Sequence, residues 1–511
     1  LTRESSDNEY LSGTDNAWLR MGDRTNRMII TAVLFFDEPV SYDDLEEKLE
    51  ERLLPFKRFR QRVVTPWHRL RPKWEMDPLF DIDTHLAHVS LPEPQGKEEL
   101  QRFVAEKMNQ DLDRSKAFWQ GWLVDGAGEG DGNALVVRIH HALGDGFALL
   151  YVLLGLADDP ASIDMPLGDV PPPPGISDEE WQRMAVDAPE PDEMEDGEDG
   201  LDETLYGSEG ADEDVEGDRK DEKKGSSVME KVYTGANMAK IGYDSLTMSK
   251  EPKTSLRGDL ELTERVSWTE TFETENVKKV GHAYDGTMND VLMAATAGGF
   301  RRYLIDNGEE VPGDLDLRCA VPVNLKPLEE RTEELGNYFG LGFLELPVGI
   351  EDPQERMEMI QDRTGMLKQG TEAYLMYLSL SLVGALPRFM QYLVMRRFHN
   401  RMTAAVTNVP GPKEAIEFAG KEVSDIKFWV PRSEDIGVGI SIFSYNGGVS
   451  VGVAADESLV PEPDRLADAF NREMEAILET VEMEGEVDEG EEKEEKEAEK
   501  EEATTETTGD D

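Results

Sequence analysis

His140-His141-Ala142-Leu143-Gly144-Asp145-Gly146 is the one constellation of proton-moving side chains in this 511-residue sequence. The other five histidines, His68, His85, His88, His282 and His399, are scattered. An imidazole with an ordinary pKa of about 6.5 accepts a proton at neutral pH, and a carboxylate or a turn beside it holds its tautomer and orientation. Two adjacent imidazoles on a strand point to opposite faces, so one of them at most faces a given site. Gly144 and Gly146 allow a tight turn or a close backbone approach, and Asp145 stands four residues after His141. Together these residues can do general-base chemistry. They also read as a strand end followed by a helix start at Gly146, and the sequence leaves that reading open. A metal site is the weaker reading, because adjacent strand residues diverge and the other histidines lack ligand spacing. The single cysteine, Cys319, excludes a disulfide scaffold and a multi-cysteine metal centre, and no pattern pairs it with a base.

The elements that must position these residues follow from apolar periodicity. Ala134–Ile139 reads as a buried strand running into the histidines, and Phe147–Leu156 as the apolar helix after them. Ser12 with Asp15 three residues on predicts a capped helix start before Ala17, Trp18 and Leu19. Arg27–Phe36 predicts a buried strand, Ser41–Leu54 a helix with Leu45, Leu49 and Leu53 on one face, and Lys97–Met108 another helix. Further on come a strand near Arg265–Phe272, a helix over Asn289–Ile305, strands at Leu317–Val323 and Gly340–Leu346, and a helix at Pro353–Gly370. The apolar segment Ala373–Leu386, followed by Phe389–Met395, reads as a surface hairpin or a buried helix pair. Gly437–Ser444 and Val449–Ala455 alternate around Tyr445-Asn446-Gly447-Gly448, a hairpin signal. The layout predicts an α+β protein with two halves, 1–165 and 256–482, a largely disordered acidic linker over 166–255 and a disordered acidic tail over 483–511.

Charge narrows the partners. Asp and Glu number 109 against 53 Lys and Arg, a net charge of −56, which excludes nucleic acid as a partner because no basic excess is available to release counterions. Residues 178–222 carry a net −18 and residues 484–511 a net −12, leaving −26 on the other 438. Both acidic segments lack apolar periodicity, although Val228–Met248 within the linker reads as helical. Self-repulsion at that charge is relieved by screening, so a high-salt cytoplasm is expected. Leu1–Tyr10 is polar and charged, unlike a signal peptide, and no window reaches the roughly 18 apolar residues of a spanning helix. A cytoplasmic protein is expected, with peripheral contact to membrane or lipid inclusions through its apolar segments.

The HHxxxDG pattern resembles the signature of coenzyme-A-dependent acyltransferases with a chloramphenicol-acetyltransferase-like fold, and of condensation domains. Further matches resemble one family, the bifunctional wax ester synthase/diacylglycerol acyltransferases. Leu11-Ser12-Gly13-Thr14-Asp15 is similar to its L-S-x-x-D opening, Pro55-Phe56-Lys57-Arg58-Phe59-Arg60-Gln61-Arg62 to its arginine-rich stretch, and Asp77-Pro78-Leu79-Phe80-Asp81 with His85 to its D-P-x-F-D segment. Asn289-Asp290, Val321-Pro322-Val323-Asn324-Leu325, Gly336-Asn337 and Thr407-Asn408-Val409-Pro410-Gly411-Pro412 follow in the family's order. Ala117-Phe118-Trp119 departs from its usual Pro-Leu-Trp.

The resemblance implies two chloramphenicol-acetyltransferase-like domains, each a mixed sheet packed with helices. It implies acyl transfer from acyl-coenzyme A, a substrate rather than a cofactor, to a fatty alcohol or diacylglycerol. No resident cofactor or metal is expected. His141 would be the general base and Asp145 its orienting residue. Asn289 would donate to the oxyanion with Asp290 supporting the turn, and His140 and Gly146 would support the site. The two halves should enclose an apolar channel meeting at His141. Plainer readings stand beside these: Asn289 as the cap of its helix, Asp15 as part of a helix start, and Arg58, Arg60 and Arg62 as a solvated strand edge rather than contacts to coenzyme A phosphates. Two other functions share the signature, a condensation-type acyltransferase using a carrier-protein thioester and a non-catalytic lipid-binding protein.

Overall fold

Runs of Val, Ile, Leu and Phe make strands that bury both faces, and such strands need helices or a second sheet to cover them. The computed structural model describes residues 9–22, 27–65, 72–127, 130–159, 251–324, 337, 339–369, 401–432 and 436–480. The acidic segment 166–250 with Val228–Met248, the apolar stretches Ala373–Leu386 and Phe389–Met395, and the tail 483–511 lie outside the described residues.

In chain order the first half comprises β1 (Glu9–Tyr10), α1 (Gly13–Met21), β2 (Ile29–Phe36), α2 (Tyr42–Arg52), β3 (Gln61–Val64), β4 (Lys73–Met76), β5 (Leu86–Ser90), α3 (Lys97–Met108), β6 (Trp119–Asp125), β7 (Asn133–His140) and α4 (Gly146–Leu156). The second half adds β8 (Glu264–Trp268), β9 (Phe272–Glu273), α5 (Thr274–Ala283), α6 (Met288–Asp306), β10 (Leu317–Asn324), β11 (Phe339–Leu346), α7 (Pro353–Gln369) and β12 (Ala404–Pro410). It continues with β13 (Glu417–Phe418), β14 (Lys421–Glu422), β15 (Asp425–Trp429), β16 (Val438–Tyr445), β17 (Gly448–Asp456) and a helix, α8, over 463–480.

The architecture is α+β, with two mixed sheets packed with helices. The first sheet has the order β15-β2-β7-β6-β5, so its edge strand β15 comes from the second half. β2 and β7 pair antiparallel over eight residues, from Ile29 opposite His140 to Phe36 opposite Asn133. The second sheet runs β11-β10-β12-β16-β17-β8, with β12 parallel to both of its neighbours. One apolar core surrounds α6, and a smaller one joins the halves through Val33, Leu100, Trp268 and Trp429. Gly298 lets α8 approach α6: a Cβ there would collide with the buried Arg356–Glu473 ion pair.

Several elements begin or end differently from expectation. Strand β2 starts at Ile29, after Met28 turns the chain with a positive φ of 55°. Lys57–Arg60 is a 3-10 turn, so Arg58 and Arg60 sit on that turn and only Arg62 on a strand. The strand expected over Arg265–Phe272 splits into β8 and β9, because the Thr269 hydroxyl accepts from Val451 N–H (2.9 Å) in place of a regular ladder bond. Between β16 and β17, Asn446 and Gly447 both take the positive φ that a tight hairpin requires.

Candidate active site

Strand β7 carries the paired histidines to the seam between the halves. His140, its last residue, donates its backbone N–H to Phe118 O (3.0 Å). Its Nδ1 accepts from Ala142 N–H (3.0 Å), and Leu143 N–H donates to His140 O (2.9 Å), closing the turn that follows the strand. A backbone donor at Nδ1 places the neutral ring's proton on Nε2, which is buried without a partner among the described residues. Burial pushes this imidazole down to about 3, so it stays neutral.

His141 leaves the strand and donates its N–H to Met28 O (2.7 Å). Its ring stacks on Trp18, with centroids 4.9 Å apart and planes inclined by 16°. His141 Nδ1 lies 2.8 Å from Asn337 Oδ1, whose Nδ2 donates to His141 O (2.9 Å) and to Asp15 Oδ1 (2.8 Å). Burial lowers the His141 pKa, opposed by the charge of Asp145, by hydrogen bonds of the ring to its own backbone carbonyl and to Asn337, and by the more distant charge of Asp15. Asp15 in turn is raised above the ordinary carboxylate range by burial, against hydrogen bonds from Asn337 and Ser12.

Asp145 is the N-cap of α4, its Oδ1 accepting from Ala148 N–H (2.9 Å). Gly146 opens that helix, and a Cβ there would lie 3.4 Å from Val409. Both line, together with His141, an apolar cavity of about 240 Å³. Its walls come from both halves: Ile30, Val137 and Leu153 from the first, Pro322, Val409 and Phe443 from the second.

His140, Asn289 and Asp290 do not line this cavity. Asn289 is fully buried in the first turn of α6, where its Oδ1 accepts from Asn408 Nδ2 (3.1 Å) and its own Nδ2 has no partner among the described residues. It is not the helix cap. Thr287 caps α6 in a reciprocal box with Asp290, whose carboxylate accepts from Thr287 N–H (3.0 Å) and from the Thr364 hydroxyl (2.8 Å). Cys319 is buried in β10, and burial pushes its thiol up, away from thiolate chemistry. Among the described residues no cluster of His, Cys, Asp or Glu could hold a metal, and no helix is long and apolar enough to cross a membrane.

Sequence reasoning assigned no site role to Asn337 or Trp18, and gave Asp15 only a helix start. The available signals were the Gly336-Asn337 motif and the spacing of Asp15 and Trp18, three residues apart on one helix face.

The sequence profile of the wax ester synthase/diacylglycerol acyltransferase catalytic domain matches residues 11–292, and that of the family's C-terminal domain matches residues 335–478. The chain belongs to the wax ester synthase/diacylglycerol acyltransferase family. A probable diacylglycerol O-acyltransferase of Mycobacterium tuberculosis is 25% identical over 468 residues, spanning 90% of this chain and 93% of its relative. A wax ester synthase/diacylglycerol acyltransferase from Marinobacter aquaeolei superposes with a TM-score of 0.61 at 19% identity, over 92% of this chain and 99% of that one. The first condensation domain of the calcium-dependent antibiotic synthetase gives 0.55 at 14% identity, over 94% and 97%. These likenesses carry the two-sheet fold, and family membership makes the chain an acyltransferase.

Proposed function

We propose that this family member transfers a long-chain acyl group from acyl-coenzyme A to the hydroxyl of a fatty alcohol or a diacylglycerol, giving a wax ester or a triacylglycerol. The observation that carries this reading is His141 on the wall of an apolar cavity shared by both halves, with its Nδ1 held by Asn337. In this mechanism His141 takes the acceptor's hydroxyl proton while that oxygen attacks the thioester carbonyl. The new C–O bond forms, the C–S bond breaks, and the imidazolium returns its proton to the departing thiolate. Such a base contributes about 10²–10⁴ in rate. Asp145 fixes the start of α4 and places its negative charge beside His141, favouring the imidazolium that forms during turnover. The buried Cys319 supports a direct reaction in a ternary complex without an acyl-enzyme.

The oxyanion role falls to Asn289, through its Nδ2, which has no partner among the described residues, with Asp290 fixing the start of α6. That role requires the α6–β12 seam to open toward the thioester. Asn289→Ala then lowers kcat by about 10²–10³-fold, whereas a strut between α6 and β12 would lose only unfolding temperature. Water-insoluble acceptors and products call for peripheral contact with lipid, and the acidic surface for a high-salt setting.

The test is ester formation from palmitoyl-coenzyme A with hexadecanol and with dipalmitoylglycerol at about 3 M KCl, following thiol release and lipid product in wild type and His141→Ala. Product that vanishes in the variant supports the reading and ranks the acceptors. No product from folded wild type would point to a carrier-protein thioester as donor or to lipid binding alone.

A further inference from the structure

We propose that Asp15 and Asn337 form a positioning pair that decides which nitrogen of His141 is the base. The inference rests on His141 being that base and concerns how the chain prepares it. A carboxamide has one end that only donates and one that only accepts. One end of Asn337 faces two acceptors, the Asp15 carboxylate at 2.8 Å and the His141 carbonyl at 2.9 Å. Only Nδ2 fits there, because the flipped amide would set its oxygen against both. Oδ1 is thereby turned to His141 Nδ1 at 2.8 Å. An acceptor at that distance requires the proton to be on Nδ1, which leaves the lone pair of the neutral ring on Nε2. The Asp15 carboxylate thus acts on the imidazole through an amide, without touching it.

Each part of the pair is held in place. Ser12 Oγ accepts from Asp15 N–H (2.9 Å), so the start of α1 aims the carboxylate. Trp18, one turn further along α1, stacks on the His141 ring. Asp15, Asn337 and His141 are all buried, which strengthens these contacts by excluding competing water. Asn337 comes from the second half, Asp15 and His141 from the first. The base is therefore oriented by groups from both halves, at the cavity that would hold both substrates.

The experiment compares kcat and KM for palmitoyl-coenzyme A and hexadecanol in wild type, His141→Ala, Asp15→Asn, Asn337→Asp and the double variant Asp15→Asn/Asn337→Asp. Asp15→Asn replaces an acceptor-only group by an amide that can present either end, so position 15 no longer rejects the flipped amide at 337 and only the His141 carbonyl still does. The expected fall in kcat is up to about 10-fold with both KM values within about twofold, less than the roughly 10⁴ that the wrong tautomer costs a Ser-His-Asp triad. Asn337→Asp sets two carboxylates face to face and should fall at least as far. In the double variant the amide at 15 donates to the carboxylate at 337, which still accepts from His141 Nδ1, so kcat should recover severalfold over Asn337→Asp, short of wild type because the oxygen that replaces Nδ2 still faces the His141 carbonyl. No recovery, or wild-type kcat in Asp15→Asn, overturns the pair. If His141→Ala itself keeps wild-type turnover, the base assignment fails instead. A second measurement needs no altered pair: ¹⁵N spectra of histidine-labelled wild type, with His141→Ala assigning the signal, should show a protonated Nδ1 and a bare Nε2 at His141. The opposite tautomer overturns the proposal.

Discussion

His140 and His141 are neighbours in sequence, yet their ring nitrogens meet different groups. A backbone N–H donates to Nδ1 of His140, whereas a side-chain oxygen accepts from Nδ1 of His141. His141→Ala should therefore lower kcat by about 10²–10⁴-fold, and His140→Ala by much less, as measured with palmitoyl-coenzyme A; the reverse order would exchange the roles. The pH dependence has a definite sign. Burial lowers the His141 pKa below its ordinary 6.5, so the acid limb of the kcat profile should fall below pH 6.5. Burial lowers His140 as well, to about 3. Between those values the unfolded chain binds a proton that folded His140 refuses, so this residue's contribution makes stability fall as pH drops from 6.5 towards 3. Asn at position 140 can still accept from Ala142 N–H but does not titrate, so His140→Asn should lose less unfolding temperature than wild type between pH 7 and pH 5. The paired histidines and Asp145 were readable from spacing. Asn337 was not, because it reaches His141 from 196 positions away and a lone Gly-Asn carries no periodic signal.

Local patterns identified elements whose burial is dictated by their own residues, including β2, α3, α6 and the β16–β17 hairpin. They did not identify β15: Asp425-Ile426-Lys427-Phe428-Trp429 alternates like many strands, and nothing in it names the sheet it joins. Pairing with β2 in the other half does that, from Asp425 opposite Phe35 to Trp429 opposite Thr31. Helix α6 was readable as a helix but its cap was not, since Thr287 and Asn289 are both capping residue types and the reciprocal bonds with Asp290 decide for Thr287. Close packing of α6 on α8 gives a test at this scale. Gly298→Ala gains about 1 kcal/mol of helix propensity, but its methyl group meets Arg356 and Glu473, which are ion-paired, buried and unable to swing into solvent. Overpacking of that kind costs about 1–3 kcal/mol. The variant should therefore melt below wild type, with no change in KM; a higher melting temperature would mean that the ion pair shifts at little cost.

At the scale of the whole molecule, the halves share a strand, an apolar core and a cavity, so they are expected to gain or lose stability together. Net charge is the sequence property that bears most directly on that shared stability. The chain carries −56, and −26 remains after the two acidic segments are set aside, so repulsion acts within the packed body as well as in the linker and tail. At 0.1 M salt charges interact over about 10 Å, and at 1 M over about 3 Å. Raising KCl from 0.1 M to 3 M should remove most of this repulsion while leaving the buried Arg356–Glu473 pair and the apolar cores in place. The midpoint of thermal unfolding should rise across that range, and the ester-forming activity should rise with it where the fold is limiting. Potassium chloride and sodium chloride should act alike if screening is the cause. A variant lacking residues 483–511 keeps the charged body, and so should keep most of the salt response; a response that disappears with the tail would place the repulsion there rather than in the body. A midpoint that stays flat from 0.1 M to 3 M would mean that the body tolerates its charge without salt, and the high-salt reading would fall with it.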